Sequence, residues 1–392
     1  MTDTISFPGL GLEFTVNRVA FSIGGFDIYW YAILISAGFA LGLLFAFKNF
    51  KEFGLDGDRV IDVILVATIA GIAGARIYYV ALEWDRYKNN LAEILNLRSG
   101  GLAIYGALIF GIIAAYLAAR WRKVKFLPFV DLVFGAVFIG QAIGRWGNFV
   151  NMEAFGCNTT LPWGMTSQTI QNYISTHTIT QLGTVMDPTQ PVHPTFLYES
   201  IWCAIGFVIY CCIYKKRRFD GEMFLFYTAW YGFGRMLIEG LRTDSLWLGT
   251  VRASQVLAGV LCAASVITWL IVRSKIKRQN DPEYLKLYRD TEESQLIVAG
   301  EYDYKRGMSK AEASAKDVAE QAASDETVSR PEDGQAAEED AGGDSAKQDE
   351  QDETVGQTGI DAEKEAREKL DDIADQLEND FMGGDPDDPA KK

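Results

Sequence analysis

A charged, amide-rich segment follows a long apolar run in the middle of the chain. It reads GRWGNFVNMEAFG over residues 144–156. If it remains helical, Arg145 and Asn148 share one face and Asn151 lies close beside them. Its three glycines allow a backbone or a ligand to approach closely. Arginine stays charged when buried and binds phosphate or carboxylate through several donors, so the segment predicts one wall of an anion site.

Further ionisable residues stand at the ends of other apolar runs. Arg76 lies in GARIYYV, whereas Arg235, Glu239 and Arg242 lie in GFGRMLIEGLRTD. Arg235 and Glu239 are four residues apart, so they face each other if this stretch is helical. Two interpretations of the pair stay open: Glu239 orients the guanidinium for a ligand, or it only neutralises a buried charge.

The elements that must position these side chains are apolar runs near the length of about 20 residues that crosses a bilayer. Seven such runs occur, at about residues 28–47, 60–81, 100–119, 127–146, 196–214, 222–239 and 250–272. They predict an all-α polytopic membrane protein with seven transmembrane helices within residues 28–280. Residues 1–27 are expected to form an interfacial arm, and the loops 82–99 and 150–195 to lie on one side, the latter as a small head region.

Basic residues are unevenly shared between the two sets of loops. One set carries 3, 4, 4 and 4 Lys or Arg, in residues 48–59, 120–126, 215–221 and 273–280. The other set carries 1, 3, 0 and 1, in residues 1–27, 82–99, 147–195 and 240–249. Because cytoplasmic loops are the basic ones, the N-terminus is predicted outside and the C-terminus inside.

This orientation brings the arginines of the second, fourth and sixth predicted helices to the outer leaflet. Ionisable groups in hydrocarbon are costly and usually face a cavity or a partner. A phospholipid headgroup is the obvious anion at that depth, so the residues predict a lipid-phosphate site. They do not decide whether the lipid is chemically altered, transported or only bound.

Composition separates the last part of the chain from the rest. Residues 281–392 hold 34 of the 52 acidic residues and 13 of the 37 basic ones, a net charge of −21. Such a segment is expected to be mostly disordered, with one possible amphipathic helix at 360–381. A helix this acidic favours a protein partner over anionic lipid, although a plain solubilising tail is the better interpretation. Neither the cysteines nor the two histidines have metal-ligand spacing, so no metal is expected. No cofactor and no nucleic-acid partner are expected either.

The segment GRWGNFVNMEAFG fits G-R-x-G-N-F-x-N-x-E-x-x-G, which resembles the signature of the bacterial prolipoprotein diacylglyceryl transferases. Other stretches are similar to the same family: YWYAILISAGF, GARIYYV, HPTFLYES and YGFGRMLIEGLRTD. The resemblance covers roughly residues 5–275. It implies an enzyme of the bacterial cell membrane, with its active site toward the outer leaflet. That enzyme moves the diacylglyceryl group of phosphatidylglycerol to the lipobox cysteine of a preprolipoprotein, forming a thioether and releasing glycerol phosphate.

The resemblance also implies roles for individual residues. Arg145 and Arg235 match the essential phosphate-facing arginines. Taken with the residue patterns, it implies a catalytic set of Arg145, Arg235, Tyr105, Glu239 and Glu153. The implied phosphatidylglycerol-binding set is Arg145, Asn148, Asn151, Gly156, Tyr31, Arg76 and Arg242.

One departure from the family leaves the base for the thiol open. Many members carry a histidine where this chain has Tyr105, and a phenol with an ordinary pKa near 10 is a poor base. His193, in HPTFLYES, is either functional or, more simply, positions the loop before Pro194. A phospholipid-binding or transport protein without catalysis remains the alternative, although transporters usually show internal repeats and midplane sites.

Overall fold

The computed structural model describes residues 2–96, 100–177, 179–181, 184–243, 247–248 and 251–328. The described residues up to 325 form one compact unit. The helices are α1 (Trp30–Asn49), α2 (Gly57–Leu82), α3 (Trp84–Tyr87), α4 (Ile104–Trp121), α5 (Phe126–Asn151), α6 (Gln168–Thr176), α7 (Thr195–Ile213), α8 (Glu222–Glu239), α9 (Ala253–Gln279), α10 (Glu292–Ala299) and α11 (Lys310–Val328). The predicted amphipathic helix at 360–381 lies outside the described residues.

The protein is mostly helical rather than all-α, because short antiparallel hairpins precede and connect the helices. The strands are β1 (Thr2–Phe7), β2 (Leu12–Asn17), β3 (Val19–Ile23), β4 (Phe26–Tyr29), β5 (Thr180–Gln181), β6 (Thr184–Val185), β7 (Trp247–Leu248), β8 (Val251–Arg252), β9 (Tyr302–Asp303) and β10 (Met308–Ser309). Each strand pairs with its neighbour in sequence, from β1 with β2 to β9 with β10. Gly24 and Gly25 turn between β3 and β4 at φ of 55° and 82°, a conformation that glycine adopts without steric cost. The predicted arm 1–27 is therefore built of two hairpins.

Six helical segments are long and apolar enough to cross a membrane. They are Trp30–Phe53, Gly57–Leu82, Ile104–Trp121, Phe126–Asn151, Thr195–Lys216 and Ala253–Gln279. The remaining predicted span corresponds to α8, whose 18 residues include Glu222, Arg235 and Glu239. Three charged residues in so short a helix explain why it falls outside this group, since charges oppose insertion into hydrocarbon.

The long helices form two groups. In the first, α2 and α4 lie along each other, and glycines let them approach closely. A Cβ on Gly106 would overlap the carbonyl oxygen of Gly74 on the facing helix. In the second group α5 packs against α1, α7 and α8, and α9 packs against α8. Contacts between the two groups are sparse.

The region between α5 and α7 has a hydrophobic core of its own. Buried side chains of this core are Ile5, Phe7, Met152, Phe155, Met165, Ile170, Ile174, Met186, Val192 and Phe196. Strand β1 joins it through backbone hydrogen bonds between Ser6 and Thr166. The stretch predicted as a head region is thus folded, and the N-terminal hairpin is part of it.

The start of the acidic C-terminal stretch differs from the expectation. Residues 281–392 were expected to be mostly disordered, yet Tyr288, Ser294 and Ile297 are buried at 8%, 1% and 9% exposure. Tyr288 and Ile297 belong to the same hydrophobic cluster as Phe53 and Leu132. Apolar side chains within this stretch supply the buried surface that its average composition conceals.

Candidate functional site

A single buried carboxylate gathers three arginines at one end of the helices. Glu199 lies in the second turn of α7 and is 2% exposed. Its Oε2 lies 2.5 Å from Nη2 of Arg145 on α5. Its Oε1 lies 2.9 Å from Nη1 of Arg235 on α8 and 2.9 Å from Nη1 of Arg242. The sequence motifs around these arginines and HPTFLYES therefore meet at one point.

A second carboxylate extends this group along α8. Nη2 of Arg235 lies 2.6 Å from Oε2 of Glu239, one helical turn later. Glu239 is 1% exposed, and its carbonyl oxygen accepts a hydrogen bond from Nη1 of Arg252. Arg235 thus bridges two buried carboxylates, which fixes its guanidinium plane. Below, the Glu199 cluster denotes Arg145, Glu199, Arg235, Glu239 and Arg242.

The Glu199 cluster has more cationic than anionic groups. It holds three guanidinium groups and two carboxylates. The side chains of Glu199 and Glu239 are 3% and 2% exposed, whereas those of Arg145 and Arg235 are 21% and 19% exposed. The excess of guanidinium groups therefore lies on the accessible side of the cluster. That arrangement is suited to an additional anion.

The amide-rich end of α5 and the residue that follows its turn are joined by side-chain hydrogen bonds. Oε1 of Glu153 accepts from Nδ2 of Asn148 at 3.0 Å and from Nδ2 of Asn151 at 3.3 Å. Oδ1 of Asn148 in turn accepts from Nη1 of Arg145 at 3.4 Å. The predicted motif residues are therefore connected in one chain of contacts that ends on a guanidinium of the Glu199 cluster.

The backbone reverses direction after α5, which brings Glu153 within reach of Asn148 and Asn151. Met152 and Ala154 have φ of 54° and 56°, in the left-handed region that few non-glycine residues adopt. The reversal carries Glu153 back over the last turn of α5, where its backbone N–H donates to the Asn148 carbonyl. The helix therefore ends in a turn that aims a carboxylate at its own amides.

Gly156 and Tyr31 are placed by close packing. The Gly156 backbone N–H donates to the His193 carbonyl, and Gly156 forms an antiparallel bridge with Arg242. A Cβ on Gly156 would lie 2.7 Å from Cβ of His193. A Cβ on Gly147 would lie 2.5 Å from Cδ2 of Tyr31, so that aromatic ring covers the helix beside the motif. Gly156 thus pairs with Arg242 through the backbone, and its predicted contact with the lipid stays a prediction.

Arg76 does not join the Glu199 cluster in this arrangement, which gives no support to its predicted phosphate-binding role; that role stays a prediction. Its guanidinium donates five hydrogen bonds of 2.6–3.0 Å, all to backbone carbonyl oxygens. The acceptors are Glu93, Ile94, Asn96, Gly100 and Gly101. Because an arginine has five N–H donors, none remains for a phosphate. Arg76 instead fixes the connection between α3 and α4.

Tyr105 also lies apart from the described contacts of the Glu199 cluster. It occupies the first turn of α4, and its side chain is 39% exposed. Among the described residues its hydroxyl has no hydrogen-bond partner. Its predicted catalytic role stays a prediction.

The sequence of this chain is similar to that of a known protein family. The family pattern described as prolipoprotein diacylglyceryl transferase matches residues 18–271, which is more than half of the chain. The chain belongs to the prolipoprotein diacylglyceryl transferase family. The resemblance inferred from the motifs is confirmed, and the apolar helices together with the family indicate a multi-pass membrane protein.

Similar proteins carry the same description. A phosphatidylglycerol–prolipoprotein diacylglyceryl transferase of Finegoldia magna is 41% identical over 265 residues, 67% of this chain and 97% of the relative. That of Clostridioides difficile is 40% identical over 268 residues, 68% of this chain and 100% of the relative. That of Listeria innocua is 40% identical over 271 residues, 69% of this chain and 94% of the relative.

Within this diacylglyceryl transferase family member, His193 lies beside the Glu199 cluster on the loop before α7. Its Nδ1 lies 3.1 Å from the Tyr198 hydroxyl, which accepts a hydrogen bond of 2.7 Å from Nε1 of Trp163. The Tyr198 hydroxyl hydrogen is then available for Nδ1 of His193. Burial lowers the pKa of His193, so the imidazole is neutral at pH 7.

Glu199 is the central residue of the cluster, and sequence reasoning left it out of the predicted site. The segment HPTFLYES was recognised, and an acidic residue inside an apolar helix is itself a signal of function. Periodicity places Glu199 on a helix face but does not show that three arginines from other parts of the chain meet there.

Proposed function

We propose that this chain transfers the diacylglyceryl group of phosphatidylglycerol to the lipobox cysteine thiol of preprolipoproteins. A thioether forms and glycerol phosphate is released, as the first step of lipoprotein maturation. The observation that carries the proposal is the Glu199 cluster, which presents partly exposed guanidinium groups in a member of this transferase family.

Arg145 and Arg235 are proposed to bind the phosphate of the lipid. In the reaction the thiolate sulfur attacks the glyceryl carbon that carries the phosphate ester oxygen. The carbon–oxygen bond breaks, and its electron pair stays on the departing glycerol phosphate. Negative charge therefore grows on the phosphate, and two guanidinium groups held in place stabilise the transition state more than the ground state.

Glu199 and Glu239 are proposed to position these guanidinium groups. Free arginine side chains lose conformational entropy when they order around a ligand. The two carboxylates hold Arg235 from both sides before the lipid arrives, with Nη–Oε distances of 2.9 and 2.6 Å. Glu153 holds Asn148 next to Arg145 in the same way, so the site is arranged in advance.

The incoming thiol also needs to lose its proton. A free cysteine has a pKa near 8.5, and neighbouring positive charge lowers it. The excess charge of the Glu199 cluster supports such a shift for a peptide thiol near Arg145. His193 is the side chain proposed to accept the proton, and Tyr105 is proposed to orient the substrate. The His193→Gln and Tyr105→Phe enzymes test the two roles.

The proposed setting is the outer leaflet of the bacterial cell membrane. In this arrangement α8 is a seventh transmembrane helix, the N-terminus is outside, and the C-terminus is inside. The exposed apolar side chains of the β3–β4 hairpin, Phe21, Ile23 and Phe26 at 50%, 63% and 55%, support an interfacial arm that contacts lipid. The folded region between α5 and α7 would cover an incoming lipobox peptide.

The test uses the full-length protein in detergent with phosphatidylglycerol and a lipobox peptide that has one cysteine. Glycerol phosphate release and peptide mass are followed together for wild type, Arg145→Gln and the matched control Arg86→Gln. Equal molar release and diacylglyceryl mass gain, lost only in Arg145→Gln, is the expected result. Lipid binding without release or peptide modification would support the alternative of a non-catalytic lipid-binding or transport protein.

A further inference from the structure

Residues 282–309 are folded, although they lie beyond the part of the chain that the family pattern matches. The family match ends at residue 271. The C. difficile relative is aligned over its whole length to 68% of this chain. This stretch contains α10 and the β9–β10 hairpin, and it contacts three of the connections between long helices.

The first contact is with the connection between α1 and α2. The hydroxyl of Ser294 donates to the carbonyl oxygen of Gly54 at 3.1 Å. Gly54 has a φ of 71°, and a Cβ there would lie 2.7 Å from Cα of Arg289. The two backbones are thus so close that only glycine fits at residue 54.

The second contact is with the first turn of α2 and the end of α4. The guanidinium carbon of Arg59 lies 3.2 Å from the ring centroid of Tyr304. The Tyr304 hydroxyl donates at 3.2 Å to Oδ2 of Asp56, whose side chain caps α2. The Tyr304 carbonyl oxygen accepts from Nζ of Lys123, just after α4. Tyr304 therefore holds the α2–α4 group.

The third set of contacts is with the other group of helices. Nζ of Lys125, at the start of α5, lies 3.1 Å from Oε2 of Glu293. The backbone N–H of Tyr288 donates at 2.7 Å to Oδ2 of Asp220, between α7 and α8. Since Tyr288 is 8% exposed, this anchor is inside the protein rather than at its surface.

We propose that residues 282–309 are a clamp that holds the α2–α4 group against the α5–α7–α8 group at the end opposite the Glu199 cluster. At that end the two groups share a hydrophobic cluster, and the ring centroids of Tyr116 on α4 and Phe126 on α5 lie 5.3 Å apart. Residues 282–309 add hydrogen bonds and an ion pair to both groups, so they reinforce the spacing there. Movement that admits a lipid or a peptide is then confined to the end that carries the Glu199 cluster.

The test measures amide hydrogen exchange and thermal unfolding of the full-length protein in detergent. In Tyr304→Ala, exchange is expected to rise about tenfold or more in both groups of loops, residues 50–59 and 120–125 on one side and 215–221 on the other. The midpoint Tm should fall by roughly 5 °C. Val318→Ala, an exposed position of α11, is the matched control and should change neither quantity.

A charge exchange keeps the test decisive if Tyr304→Ala folds poorly. Lys125→Glu should raise exchange in the same loops, and Lys125→Glu with Glu293→Lys should restore protection. Exchange that rises only within residues 282–309 would overturn the clamp, as would a double variant no better than Lys125→Glu. Neither readout requires lipid or activity, so the result is independent of the proposed transferase reaction.

Discussion

Charged side chains are buried at both ends of α5, α7 and α8, but their hydrogen-bond partners differ between the two ends. At the end opposite Glu199, Asp131 is fully buried and accepts from the backbone N–H groups of Gly221 and Phe224 at 2.8 and 2.9 Å. Glu222 accepts from Nε1 of Trp269 and from Nε of Arg273, both at 2.7 Å. Below, the Asp131 cluster denotes Asp131, Arg217, Asp220, Glu222 and Arg273.

In the Asp131 cluster, Asp131 accepts from the backbone N–H groups of Gly221 and Phe224, which open α8. Arg217 donates to the carbonyls of Tyr214 and Glu52. In the Glu199 cluster the carboxylates are enclosed, and the guanidinium groups of Arg145 and Arg235 remain partly accessible. Burial of charge is common to both ends, so it does not distinguish them. The ratio of guanidinium groups to carboxylates does, because it is three to two in the Glu199 cluster and two to three in the Asp131 cluster.

The largest expected effect is on activity. Arg235→Gln removes a charge that faces the lipid phosphate, so kcat of the folded enzyme should fall about 10³-fold. Tm should fall as well, because the buried carboxylates of Glu199 and Glu239 each lose a guanidinium partner. Steady-state release of glycerol phosphate and scanning fluorimetry measure the two quantities. Arg217→Gln, in the Asp131 cluster, should lower Tm and leave kcat of the folded enzyme within about twofold. Equal effects of both variants on kcat would remove the distinction between the two ends.

Glu199→Gln should affect both quantities, because Glu199 is the shared partner of three arginines. Arg242 is 7% exposed and would lose a carboxylate at 2.9 Å, so unfolding should become easier by about 3 kcal/mol. kcat should fall about tenfold, since Arg145 and Arg235 lose orientation but keep their charge. Denaturation midpoints and kcat are measured on the same preparation. A stable variant with full activity would contradict the positioning role.

Asp131→Asn should act on stability alone. An amide cannot accept from both Gly221 and Phe224 without bringing its own N–H donors against one of them. The expected loss is about 2 kcal/mol, the usual cost of an unsatisfied buried donor. Thermal unfolding measures it, and transfer activity of the folded fraction should be unchanged. A selective loss of activity at full stability would assign the Asp131 cluster a catalytic role.

The smallest effect concerns pH at the Glu199 end. Burial lowers the pKa of His193 below that of an unfolded histidine, near 6.5. Between the two pKa values the unfolded chain binds a proton that the folded chain does not, so His193 reduces stability as the pH falls below about 6.5. His193→Gln should therefore lose less Tm than wild type between pH 7.5 and 5.5. His177→Gln, at the exposed histidine, is the control and should follow wild type.

Much of the site could be predicted from sequence because its residues occur in compact motifs. Arg145, Asn148 and Glu153 fall within thirteen residues, and helical spacing alone relates Arg235 to Glu239. Six membrane-length helices follow from apolar runs, and α8 was also expected despite its three charged residues.

The rest depended on partners that spacing does not reveal. The side chain of Arg76 is saturated by backbone carbonyls of a loop, and nothing in GARIYYV identifies those acceptors. The clamp was missed because the charge of residues 281–392 was considered as a whole. Four tyrosines within residues 282–309 supply apolar surface that this average conceals. Glu199 was visible as a costly residue, but its three partners come from separate segments.

The reversal after α5 places stability and function in opposition. Met152 and Ala154 occupy left-handed backbone conformations that cost roughly 1 kcal/mol each relative to glycine. Ala154→Gly would relieve that strain in the folded state, yet it would also free the turn that presses Glu153 against Asn148 and Asn151. Selection for heat resistance alone would therefore tend to loosen this turn, whereas selection for turnover would keep it rigid. The non-glycine residues at these two positions lower the stability of the folded state and keep Glu153 in a fixed position.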